Sequence, residues 1–268
     1  MGRMSSNGTI PWVVVAAMIG VFVAIPAGAQ EPPALVQPDT TLSSPEPAAT
    51  DTSGTSRLIH DVASDYKNFF SLGTAVWLGI GGGAALAIHP ADQRISDAAF
   101  DANNTLPGGS VYGSQYFQVP AAIAWWAIAS AAGSERHAET GRDLLRAQIS
   151  VFSWTYAIKL VANRTRPDGT SHSFPSGHAS TSFATAMVLQ DHYGWKVGLP
   201  AFLLATYTAA SRVVINQHWT SDVVFGAALG VASARTVTIK FRESRLAVAP
   251  VVSGKRGAVV VSVVGRQD

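Results

Sequence analysis

Apolar positions recur at helical rather than strand spacing through most of this chain. From Arg57 onward the pattern predicts helices over about 58–88, 115–132, 136–163, 177–192, 196–212 and 218–240. Within the first of these, Gly79 and Gly83 lie four apart, which would let another backbone approach that face closely. The stretch from Asn103 to Gly113, with Pro107-Gly108-Gly109, reads as a loop. The segment from Asp92 to Asp101 reads as a solvated loop rather than a calcium site. The tail changes period: Leu246–Val252 and Ala258–Val264 are β-rich runs around a Ser-Gly-Lys-Arg-Gly turn. The expected fold class is all-α, a bundle of about six helices carrying a short C-terminal β-hairpin.

The N-terminal end has a different pattern again. Arg3 precedes a continuous apolar run from Trp12 to Ile25, and Ala27-Gly28-Ala29 follows as a small-residue cleavage site. Residues 1–29 therefore read as a signal peptide, with an uncleaved anchor as the other reading. Residues 30–56, rich in Pro, Thr, Ser and Ala without apolar period, read as a disordered linker. The helical domain is expected over 57–242 and the hairpin tail over 243–268.

Composition narrows the setting. Apolar residues make up 47% and charged residues 13%, about half the usual share of charge. This fits a membrane-embedded domain or a bundle with large apolar surfaces. The apolar stretches reach only about 15–18 residues, near the lower limit for spanning a bilayer. Counting crossings from the export signal also puts Lys159 and Arg166 on the cytoplasmic side if every candidate spans. That favours a soluble or membrane-apposed domain in the periplasm, with the inner membrane as the alternative. A net charge of +2 gives no support for a nucleic-acid partner. With no cysteine, disulfides, thiolate metal sites and thiol nucleophiles are excluded.

Three segments carry the chemistry. Lys159 is followed six residues later by Arg166-Pro167; Pro175-Ser176-Gly177-His178 comes next; then Ser211-Arg212, five residues, His218, three residues and Asp222. At i, i+4 on a helix, His218 and Asp222 would share a face, so the carboxylate could orient the imidazole and raise its basicity. A neutral imidazole so held is a nucleophile towards phosphorus. Gly177 at a helix start exposes backbone N–H groups to an anion, and Ser176 adds a donor or simply an N-cap. His178, in the first turn, is placed to protonate a leaving alkoxide, a role worth about 10²–10⁴-fold. Lys159 lies among apolar neighbours and needs a partner. Arg166 and Arg212 supply forks for phosphate oxygens. Arg164 competes with Arg166 for that role or is a surface charge, and the surface reading is preferred. His172 either lines the entrance or is an ordinary loop residue. His60, His89, His137 and His192 read as surface or structural, and Trp125-Trp126 as packing or an interface anchor.

Together these segments resemble the superfamily of type 2 phosphatidic acid phosphatases and vanadium-dependent haloperoxidases, over about residues 60–240. The resemblance implies a helical bundle without a divalent metal or other cofactor. It implies His218 as nucleophile, Asp222 as its orienting partner and His178 as the acid. Lys159, Arg166, Ser176, Gly177 and Arg212 would bind phosphate. The expected activity is hydrolysis of a phosphomonoester or pyrophosphate, lipid-linked or soluble, through phosphohistidine in the cell envelope. The alternatives are a vanadate-dependent haloperoxidase, whose first motif tends to be longer, a non-specific soluble acid phosphatase, and a catalytically silent envelope protein.

Overall fold

A computed structural model describes residues 54–100, 106–238, 245–253 and 256–264. The signal-peptide segment and nearly all of the linker segment lie outside the described residues. The domain is all-α, with more helices than the six expected. The predicted 58–88 helix is two, α1 (Gly54–Phe69) and α2 (Leu72–Ile88). They divide because Ser71 takes an extended conformation and its hydroxyl accepts from Thr74 N at 3.3 Å, an N-cap that starts a new helix. A 3₁₀ turn (His89–Ala91) leads into α3 (Asp92–Phe100), where a solvated loop was expected. A short α4 (Gly109–Tyr112) interrupts the second predicted loop. Then come α5 (Gln115–Ala131), α6 (Glu135–Ala162), α7 (Gly177–Tyr193), α8 (Trp195–Val214) and α9 (Thr220–Val237). Past the helices, β1 (Arg245–Ser253) pairs antiparallel with β2 (Arg256–Val264).

The centre of the bundle is α9, packed against α7, α2 and α6, while α7 also packs against α8. Phe183, Val188, Val213, Val223, Leu229 and Val231 form its fully buried core. Small residues bring these helices close. A Cβ at Gly226 would lie 2.7 Å from the Ser176 carbonyl, so α9 sits directly against the start of α7. The close approach on α2 is made by Gly81, not by Gly79 and Gly83, which face open space: a Cβ at Gly81 would lie 2.2 Å from that of Ala228. Gly81→Ala is therefore expected to cost about 1–3 kcal/mol by overpacking. Gly79→Ala should be neutral or slightly stabilising in the same denaturant titration.

Buried ions tie the outer helices on. Arg146 of α6 donates two hydrogen bonds to Asp65 of α1, at 2.9 and 2.6 Å, and one to Asp143 at 2.7 Å. His192 Nε2 lies 3.1 Å from Asp143, which makes this histidine structural. In contrast, the outward faces of α2, α5, α6 and α8 are apolar: Leu72, Ile128, Leu160, Val161 and Leu203 are all more than half exposed.

Candidate active site

The first motif is shaped by how α6 ends. Asn163 adopts a left-handed conformation (φ 39°) and its N–H bonds the Lys159 carbonyl, so the helix stops at Ala162, well before Pro167. Lys159, in the last turn, is buried and donates to the carbonyls of His172 (2.6 Å) and Ser173 (3.4 Å). The ammonium thereby ties down the loop that leads into the second motif. Arg166 is held in that loop by Gln217, whose Oε1 accepts from Nη1 at 2.9 Å.

Ser176 takes the N-cap position of α7, yet its hydroxyl makes no capping bond; it is buried and without a partner among the described residues. Its backbone N–H donates to the Asp222 carbonyl at 3.0 Å, joining the second motif to the third. Gly177 and His178 follow in the first turn of α7.

Arg212 closes α8. Its carbonyl accepts from both Gln217 N (3.0 Å) and His218 N (3.2 Å), which folds the intervening loop back on the helix end. The Arg212 Nη1 donates to Ser110 of α4. Here the expectation about His218 and Asp222 needs correction. His218 precedes α9 instead of riding on it: Trp219 is the N-cap, and Asp222 at N3 accepts from Trp219 N at 2.9 Å. The His218 Nδ1 is 3.8 Å from Asp222 Oδ2, within ion-pair range but beyond a hydrogen bond. The carboxylate is otherwise engaged, by Ser173 and Trp219 at Oδ2 and by Arg164 at Oδ1 (2.6 Å).

Arg164 is no surface charge. Its second fork arm donates to Asp92 at 2.8 Å, and Asp92 is only 4% exposed, accepting also from Ser221 N at 2.9 Å. One guanidinium thus bridges α3 and α9 behind the histidine. The spacing of Arg164 to Arg166 carried no signal of this, because its partners lie 58 and 72 positions away.

Lys159, Arg166, Gly177, His178, Arg212 and His218 line one cavity of about 320 Å³, together with Gln217, residues 113–116, Phe152, Thr155, Tyr156 and Thr181. Of the eight predicted residues, these six meet; Asp222 stands behind His218, and the Ser176 hydroxyl is buried beside Gly177. Among the described residues no carboxylate lines the cavity. The Nε atoms of Arg166 and Arg212 are buried without partners among the described residues. Such orphaned donors in a pocket of three cations fit an oxyanion. The same surroundings act on the imidazoles. Burial, reinforced by Lys159 and Arg166 and opposed by Asp222, lowers His218 to about 4. Burial, with Arg212 and His218 beside it, lowers His178 to about 3. At neutral pH both rings are uncharged, the form a nitrogen nucleophile requires.

A helical bundle whose cavity sets three cations and two histidines together has the chemistry to hold an oxyanion. Residues 143–245 match the family model of the PAP2 superfamily. Over 72 residues it is 44% identical to a lipid A 1-phosphatase of Porphyromonas gingivalis, covering 25% of this chain and 16% of that protein. Over 79 residues it is 37% identical to a lipid A 4'-phosphatase of Helicobacter pylori, covering 30% of this chain and 40% of that protein. The chain thus spans well under half the length of these two curated relatives. Its fold resembles the crystal structure of the first transmembrane PAP2 type phosphatidylglycerolphosphate phosphatase from Bacillus subtilis. The TM-score is 0.51 at 22% identity, covering 69% of this chain and 99% of that one.

Proposed function

We propose that this chain is a membrane-associated phosphatase acting on a lipid-linked phosphate, without a divalent metal, through phosphohistidine. The observation that carries the reading is the single cavity where Lys159, Arg166 and Arg212 face His178 and His218 with no carboxylate on its wall among the described residues. The three cations and the first amides of α7 take the phosphoryl oxygens and offset charge as it spreads over them in the transition state. They supply the electrostatic stabilisation that a metal would otherwise bring. The free nitrogen of His218 attacks phosphorus, its bond to the leaving oxygen breaks, and His178 gives that oxygen a proton. His178 is neutral in the empty pocket, so the substrate's own negative charge is what allows it to hold that proton. In the second half, His178 takes a proton from water as the water displaces His218, releasing inorganic phosphate.

The bilayer enters through the apolar surface. Leu72–Ala99 and Trp195–Val214 are each long and apolar enough to cross a membrane. Exposed side chains such as Val161 (88%), Leu72 (81%) and Leu86 (76%) favour lipid contact over a water-soluble bundle. Similarity to lipid A phosphatases supports a lipid-linked substrate, and the 1–29 segment supports an active site on the envelope side.

The test is phosphate release by detergent-purified protein in excess chelator from an aryl phosphate, a phosphatidate and a polyprenyl pyrophosphate. Release from at least one lipid substrate, undiminished by chelator, is expected; no release from any of the three overturns the reading. Because the nucleophile must be neutral, kcat/KM for the aryl ester should hold as pH falls below 6.5 and drop only near His218's value of about 4. An acid limb centred on 6.5 would contradict the burial argument.

A further inference from the structure

We infer that the hydrocarbon chain of the substrate lies in an apolar groove along α5 that begins beside the phosphate cavity; the inference rests on the phosphatase reading above. On one side that cavity is walled by residues 113–116 and by Thr181 of α7. One helical turn further along both elements a second cavity of about 230 Å³ opens, bounded by Phe117, Ala121, Trp125, Leu144 and Leu189. Ala121 and Trp125 are shared with a third cavity of about 500 Å³ that continues to Ile128 and Ala132. The track runs beside α5 and its C-cap from Tyr116 to Ala132, about 24 Å at the helical rise.

Its chemistry suits one kind of occupant. Gln118 and Thr185, polar members of the second cavity, are bonded to each other at 2.6 Å. Gln118 also donates to the Tyr112 carbonyl at 2.8 Å, and Thr185 accepts from Gln148 at 2.9 Å, so little of their polarity is left for a ligand. Among the described residues no Asp, Glu, Lys or Arg lines either apolar cavity, and the titratable histidine His137 stands only at the far end. A cationic pocket at one end and some 24 Å of uncharged groove match an amphiphile: a phosphate headgroup bearing a long hydrocarbon chain. The alanines at 121, 122, 129 and 132 keep the groove open, since larger side chains there would fill it.

The experiment follows kcat/KM over a series of n-alkyl phosphates of increasing length, with an aryl phosphate as the short reference. In the wild type each methylene that enters the groove should add about fourfold, up to a plateau at the groove's end. Ala121→Trp, at an exposed position shared by both apolar cavities, should lower kcat/KM for the longest substrate at least tenfold and leave the aryl ester within about twofold. Ala132→Trp should spare intermediate chains and affect only the longest. Equal loss on aryl and long-chain esters in Ala121→Trp, no loss on either, or no dependence on chain length in the wild type each overturn the groove. Failure of the wild type to hydrolyse even the aryl ester overturns the phosphatase reading, and the groove with it.

Discussion

Replacing His218 with alanine is expected to reduce turnover by on the order of 10⁴-fold or more and to abolish trapping of labelled phosphate on the protein. The size follows from the role: no other side chain lining the cavity is a comparable nucleophile, His178 being assigned to the leaving group. Misfolding is a poor alternative explanation for such a loss. The His218 ring is buried, at 3% exposure, and its Nδ1 makes no hydrogen bond among the described residues. Its removal therefore breaks no bonded pair. The pH dependence of stability gives a second readout. A ring lowered from 6.5 to about 4 takes up its proton more readily when unfolded, so its contribution is intact above 6.5 and is lost as pH falls towards 4. The alanine variant should lack that part of the acid slope while unfolding normally at neutral pH. Phosphate trapping at the wild-type level in His218→Ala would remove the histidine from the mechanism.

The residues that meet in the cavity were legible in sequence because the set depends on residue type and order: cations, imidazoles and a glycine turn. What holds it in place was legible only where the signal is local. The i, i+4 spacing of His218 and Asp222 suggested a shared helix face, but Trp219 and Asp222 also have capping spacing, and the cap is what forms. That choice moves His218 off the helix and frees Asp222 to organise the loop. The split at Ser71 has a similar local cause, a serine that caps in the middle of an apolar run. The same holds for α2, where periodicity exposed the glycines but not which of them meets α9. The Arg164 bridge left no such trace. Its partners come from α3 and α9, and a stretch with four charges between Asp92 and Asp101 looks solvated until folding buries its first residue.

That bridge gives the other large effect. Arg164 is absent from the wall of the phosphate cavity, yet its two arms neutralise Asp92 and Asp222, which are 4% and 0% exposed. Truncating it to alanine leaves two carboxylates in a site built for ions, and removing one partner of a buried pair costs about 3–5 kcal/mol. Lysine offers a single point charge where a planar fork spans two acids, so Arg164→Lys should recover only part of the loss. Denaturant titration of both variants reads the cost. A double-mutant cycle with Asp92→Ala should give a coupling of about 0.5–3 kcal/mol. Losses under about 0.5 kcal/mol that simply add would mean a surface charge after all. Catalysis separates positioning from binding. Because Arg164 does not touch the cavity, Arg164→Lys should leave KM for the aryl ester near the wild-type value. Its kcat should fall, since Asp222 loses the contact that fixes it 3.8 Å from His218. A rise in KM with kcat unchanged would instead place Arg164 among the phosphate ligands, the role that the spacing of the first motif left open.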